Sequence, residues 1–88
     1  MIYQVKFSKS AKKQFLKIDK PIQRQIQGYI DRCIDGSTNP RANGKALKGS
    51  YSGLWRYEVG DYRIICNITD GICEILVVKV KHRRDAYD

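Results

Sequence analysis

Apolar positions recur along this chain at two different periods. Over residues 2–7 they alternate, with Tyr3, Val5 and Phe7 on one side, which predicts a strand. Helical spacing follows. Ser8 is placed to cap a short helix over residues 9–18, in which Ala11, Phe15 and Ile18 share a face. Asp19 is placed to cap a second helix, and Pro21 suits its first turn. Ile22, Ile26, Tyr29, Ile30 and Cys33 form its apolar stripe, and Gly36 supplies the stop. Together these segments predict an antiparallel helical hairpin with one apolar side.

Residues 36–53, rich in Gly, Ser and Asn and carrying Pro40, predict a loop broken by a short Ala46-Leu47 segment. Beyond it the period returns to two. Residues 54–59, 62–69 and 72–82 predict three strands, joined by two-residue turns at Gly60-Asp61 and Asp70-Gly71. Such turns set Val59 opposite Tyr62, Glu58 opposite Arg63, Arg56 opposite Ile65, Thr69 opposite Ile72 and Arg63 opposite Val78. Trp55, Tyr57, Val59, Tyr62, Ile64, Cys66, Ile75 and Val77 then share the face that packs on the helices. The other face carries Arg56, Glu58 and Arg63 beside Leu76, Val78, Val80 and His82, a shallow basic groove with no helix left to cover it. A β-bulge would change part of that list. The first strand has more than one edge at which to pair. The expected fold is α+β: one small domain over 1–88, with a strand, a two-helix hairpin and a three-stranded antiparallel meander joined to the first strand in one sheet.

Charge sharpens this picture. Lys and Arg total 17 against nine acids, a net charge of +8 on 88 residues, and such a surface attracts polyanions. A merely well-solvated surface or an acidic protein partner would account for the same charge. No apolar run approaches the roughly 20 residues of a membrane span, and the N-terminus lacks the shape of a signal peptide, so a cytoplasmic protein with no membrane partner is expected. Cys33, Cys66 and Cys73 are odd in number and lack metal-ligand spacing, and read as buried thiols.

Arg56 and Arg63 on the strands, with Lys79, Lys81, His82, Arg83, Arg84 and Tyr87 at the C-terminal end, are a kit for cleaving RNA without a metal. The 2′-hydroxyl would attack the adjacent phosphate, cations would hold that phosphate, and a base and an acid would move the protons. Each part has a plainer reading: Arg63 and Glu58 as a cross-strand ion pair, His82 as an idle histidine, the run at 79–84 as a solvated strand end. No nucleophile triad, glycine-rich phosphate loop or paired carboxylates occur, and nine acids are too scattered for a two-metal site. No cofactor and no metal are expected. Residue by residue, the chain reads as a basic RNA- or DNA-binding domain with the means for metal-free nuclease chemistry.

The stretch Leu54-Trp55-Arg56-Tyr57-Glu58-Val59-Gly60-Asp61-Tyr62-Arg63-Ile64-Ile65 adds to this. With Leu47-Lys48-Gly49 before it and Val80-Lys81-His82-Arg83-Arg84-Asp85-Ala86-Tyr87 after it, the chain resembles the RelE/ParE toxin family of type II toxin–antitoxin systems, closest to the RelE (StbE-like) branch. The resemblance implies an mRNA interferase, an endoribonuclease that cuts codons in the ribosomal A site. It implies as partners the ribosome, mRNA and a cognate antitoxin, with operator DNA reached only through the antitoxin complex. Arg63 matches the arginine that holds the scissile phosphate, Arg83 a second arginine, and Tyr87 a tyrosine acting as base or stacking group. Arg56 and Glu58 fall where that branch has two lysines; Glu58 is a candidate base or a neutraliser of Arg63, and His82 a further base or acid. Lys45, Lys48, Lys79, Lys81 and Arg84 are the expected RNA contacts. Alternation puts Arg83 on the face opposite Arg63 unless the last strand twists or bulges. Two rival readings stand beside this one: a ParE-type inhibitor of DNA gyrase, and an RNA-binding module without catalysis.

Overall fold

The structure, a computed structural model, describes residues 1–85. In chain order it runs β1 (Gln4–Phe7), α1 (Lys9–Leu16), α2 (Lys20–Tyr29), β2 (Lys45–Ala46), β3 (Trp55–Val59), β4 (Tyr62–Thr69) and β5 (Glu74–His82). The strands form one mixed sheet in the order β1-β5-β4-β3-β2, so the α+β expectation holds with one strand more. That strand is β2, in the predicted loop, where Lys45 pairs with Arg56 and Ala46 with Trp55. β1 chooses the β5 edge and runs parallel to it, Gln4 opposite Glu74 and Phe7 opposite Val77.

The helices form where their apolar residues can reach this sheet. The Ser8 hydroxyl caps α1 by accepting the Ala11 N–H at 3.1 Å. α1 stops at Leu16, because the side chain of Gln23 takes its trailing carbonyls, donating to Ile18 O at 2.6 Å and Leu16 O at 3.3 Å. This bond explains a glutamine buried between the helices. Asp19 stands at the start of α2 as expected but makes no capping bond with its side chain. After Tyr29 the helix widens into a single turn, Ile30–Ile34, closed by Asp35 N–H to Ile30 O, and Gly36 ends it at φ +81°. Among the described residues no helix is long and apolar enough to cross a membrane.

Ala11, Ile26, Ile30 and Ile34 from the helical layer meet Tyr57, Val59, Ile64, Cys66, Ile75, Val77 and Val80 of the sheet in one core. The expected helix-facing set is therefore observed, and Val80 joins it. Of the three cysteines only Cys66 is fully buried, its thiol pushed up to about 12 by burial. Cys33 and Cys73 are half-buried, which corrects the expectation for both: Cys33 lies at the core's margin and Cys73 in a turn.

The second turn differs from expectation. Thr69 stands opposite Glu74, not Ile72, so the connection has four residues, Asp70 to Cys73, with Cys73 at φ +50°. Contacts from distant parts of the chain shape it. Asp70 accepts the Tyr3 hydroxyl at 2.6 Å and both Arg41 amino groups at 3.0 and 3.2 Å, while Gln4 N–H donates to Cys73 O. The bonds from Arg41, and then from Tyr3, hold the Asp70 carboxyl below its usual value of 3.8. A depressed folded-state value stabilises the fold above the unfolded value, and that contribution is lost as pH falls through the lower, folded one. Asp70→Asn is accordingly expected to flatten the acid limb of stability below about pH 4, read by thermal unfolding across pH. An unchanged acid limb would show that the bonds of Asp70 to Tyr3 and Arg41 add nothing to stability.

Candidate nucleic-acid interface

The sheet face turned away from the helices collects the cations, and it does so in a different register from the one that alternation predicts. The Gly60-Asp61 turn holds: Val59 is opposite Tyr62, Glu58 opposite Arg63 and Arg56 opposite Ile65. Between β4 and β5 the pairing slips by one residue. Cys66 faces Val77, but Ile65 faces Lys79, leaving Val78 as an extra residue in β5. Because side chains alternate, one inserted residue exchanges the faces of everything after it. The longer Asp70–Cys73 connection moves each partner on by two residues and the bulge by one more, so Arg63 stands opposite Lys81 rather than Val78. Val80 and His82, expected in the groove, turn to the helix side, and Lys79 and Lys81 take their place.

The result is a ladder of basic side chains. One row across four strands reads Lys45, Arg56, Ile65, Lys79, and the next reads Glu58, Arg63, Lys81. Directly opposed residues have Cβ atoms about 5 Å apart, so the basic side chains of neighbouring strands stand side by side. Arg56 is buried to 8% exposure beside Ile65 at 5%, so this guanidinium is held in place by packing. The Glu58 carboxylate lies between the arginines, 3.7 Å from Arg56 Nη2 and 3.9 Å from Arg63 Nε. The cross-strand ion pair read from the sequence is thus present, with Arg56 as a second partner.

The face is not fully open. The turn Gly49–Tyr51 reaches over it, and the Lys79 ammonium lies 5.7 Å from the Tyr51 ring centre. A depression of about 240 Å³ remains, lined by Lys45, Ala46, Leu47, Lys48 and Arg56. Arg83 follows β5 as the first residue of a 3-10 turn, Arg83–Asp85, its N–H bonded to Asp61 O at 2.7 Å and its Nε 3.8 Å from Asp61 Oδ1. The strand ends before Arg83, so alternation does not assign its side chain a face, and its partner is Asp61 rather than Arg63. His82 is not brought to Arg63: its ring stands edge-on to Tyr62 on the helix side, and its Nδ1 accepts from Arg84 N and Nε. Arg84 goes with it, away from the ladder. Tyr87 lies outside the described residues.

Gly44, which no sequence motif singles out, is a structural requirement of this face. At φ +86° a Cβ there would come within 2.4 Å of Arg56 O and 2.6 Å of Trp55 Nε1. The backbone must approach this closely for Lys45 to pair with Arg56, and for Trp55 Nε1 to donate to Asn43 O at 2.7 Å. Gly44→Ala is expected to cost roughly 1–3 kcal/mol and to detach β2 from Arg56. Chemical denaturation and the Lys45 amide shift would read it, and wild-type values for both would refute the close approach.

On the other side of the molecule an open groove of about 490 Å³ runs between β1 and α1. Val5, Phe7, Lys12, Phe15 and Leu16 are among the residues lining it, Leu16 is 56% exposed, and the Lys6 ammonium lies 3.6 Å from the Glu74 carboxylate. Among the described residues no three His, Cys, Asp or Glu side chains gather as metal ligands do.

Comparison with known proteins supplies the relatives. The family model "ParE toxin of type II toxin-antitoxin system, parDE" matches residues 5–87. An Escherichia coli protein described as a RelE-like toxin is 33% identical over the whole chain and 93% of its own length. Toxin RelG of Mycobacterium tuberculosis is 28% identical over 99% of this chain and 98% of its own. Among solved structures, the RelE–RelB complex of Pyrococcus horikoshii contains a chain that superposes with a TM-score of 0.72 at 28% identity, covering 98% of this chain and all of that one. A chain of the RelBE2 toxin–antitoxin complex of Mycobacterium tuberculosis superposes at 0.84 with 23% identity, over 94% of this chain and all of that one, a likeness of fold.

Proposed function

Because the chain belongs to the RelE/ParE family of toxins of type II toxin–antitoxin systems, we propose that it is a cytoplasmic, ribosome-dependent mRNA endoribonuclease, one domain over 1–88, kept silent by a cognate antitoxin. The observation that carries this reading is the two-row ladder of Arg56, Arg63, Lys79 and Lys81 around a single carboxylate, Glu58. Such a surface binds a phosphodiester with charge to spare for the extra negative charge of the transition state.

In this reading Arg63 and Arg56 hold the scissile phosphate, and Lys45, Lys48, Lys79 and Lys81 hold its neighbours. The 2′-hydroxyl attacks the adjacent phosphorus. Arginine stays protonated and cannot accept the hydroxyl proton. In this reading Glu58 takes it, supported by its position between the two arginines, and His82 lies on the far face. Arg83, in the turn after β5, is proposed for the leaving-group side, and Tyr87 keeps its proposed role as base or stacking group. No step is routed through a metal or cofactor. The antitoxin, which would bring the complex to operator DNA, has a fitting surface in the apolar groove beside β1, where Lys12 suits an acid flanking an apolar segment.

The rival on the same fold is inhibition of DNA gyrase, favoured by the family model, which is that of ParE. Controlled expression followed by mapping of mRNA 5′ ends on translating ribosomes separates the two. Cuts inside A-site codons are expected. Growth arrest with intact mRNA and induced DNA damage would replace this reading with the gyrase one, and arrest by neither route would leave an RNA-binding module without catalysis.

A further inference from the structure

The bulge that delivers Lys79 and Lys81 to the ladder has a specific partner on α1. Val77 turns its carbonyl toward β1, where it accepts the Ser8 N–H at 2.9 Å. β1 then leaves the sheet, and β5 continues past it alongside α1. Three residues on, Val80 turns its N–H to that same edge and donates to Oε1 of Gln14 at 2.8 Å. In a regular strand, backbone groups on one edge recur every second residue, so an interval of three requires one inserted residue. The Gln14 bond therefore exists only in the bulged register. Without Val78 as the extra residue, Lys79 would present its amide to α1. The side chains of Lys79 and Lys81 would then face the helices, and those of Val78 and Val80 would stand beside Ile65 and Arg63.

We infer that Gln14 is a positioning residue for the cationic face: its side-chain oxygen holds β5 in the register that places Lys79 and Lys81 beside Ile65 and Arg63. An edge amide with no neighbouring strand and little access to water needs an acceptor, and Gln14 supplies it from a helix 66 residues away in sequence. Val80 is 5% exposed in the core, so packing and the hydrogen bond favour the same register. The consequence for cleavage rests on the function proposed above; the consequence for register does not.

Gln14→Met removes the acceptor at nearly constant volume, and Gln14→Glu keeps an oxygen in its place. In the full chain, Gln14→Met is expected to speed exchange of the Val80 amide by about tenfold. It is also expected to weaken the cross-strand nuclear Overhauser contact between Arg63 and Lys81. On translating ribosomes its kcat/KM should fall about tenfold, chiefly through KM, with Gln14→Glu staying within about threefold of wild type. An intact Arg63–Lys81 contact in Gln14→Met, or a Glu variant as impaired as the Met one, would overturn the inference. If the wild type does not cut mRNA, the proposed function fails while the exchange and contact data still decide the role of Gln14. Should Gln14→Met not fold, the wild-type Val80 amide decides: protection supports the bond to Gln14, and free exchange refutes it.

Discussion

Arg63→Ala is expected to lower mRNA cleavage by about 10²- to 10³-fold, the usual cost of removing one preorganised charge-stabilising donor. Arg63 occupies the centre of the ladder, opposite both Glu58 and Lys81, with its side chain 20% exposed. It is thus fixed enough to need little reorganisation and open enough to reach a phosphate. Arg63→Lys keeps the charge but loses the planar fork, and should recover only part of the activity. Neither change opens a cavity in the core, so the midpoint of thermal unfolding should move little. Mapping of mRNA 5′ ends on ribosomes, with antitoxin-free growth as a second readout, measures the effect. Undiminished cutting by Arg63→Ala would take the ladder out of the chemistry and the proposed function with it.

Glu58→Gln should separate binding from catalysis. The carboxylate lies 3.7 and 3.9 Å from the two guanidinium groups, where it cancels part of the charge that a phosphodiester would meet. Its removal is expected to tighten RNA binding and to steepen the dependence of binding on salt, since counterion release follows net cationic contacts. The same substitution removes the proton acceptor. Loss of a general base lowers kcat by about 10²- to 10⁴-fold. Lower KM with much lower kcat is thus the predicted signature. An equal or higher kcat would make Glu58 a counterion only and would require another base for the 2′-hydroxyl.

Much of the arrangement behind these expectations is legible without coordinates. Ser8 as a cap, the stripe from Ile22 to Cys33, the Gly60-Asp61 turn and the pairing of Glu58 with Arg63 all follow from short-range patterns, and all are observed. The basic face and its Arg56, Glu58 and Arg63 members were readable for the same reason, because one tight hairpin sets their register. The expectations that gave way involve longer range. The Asp70-Gly71 dipeptide has the form of a two-residue turn, yet Tyr3 and Arg41 hold Asp70 in a four-residue connection. Gln14 and Gln23 are unremarkable polar residues on helices until a carbonyl from one turn or an amide from β5 arrives beside them.

Sequence by itself therefore determined the elements, the helical hairpin, one hairpin register and the net positive charge, because each depends on residues within a few positions of one another or on their sum. Tertiary structure alone decided that β1 runs parallel to β5, that two residues at Lys45–Ala46 become a strand, and that Val78 is the extra residue in β5. The last of these has the greatest consequence for the site. Side chains on a strand alternate, so one inserted residue moves Lys79 and Lys81 onto the cationic face and sends Val80 and His82 to the other. Local propensity is nearly indifferent to that choice, since every residue in 76–82 remains in an extended strand either way. Burial of Val80 and the acceptor on Gln14, both supplied by a distant helix, break the tie.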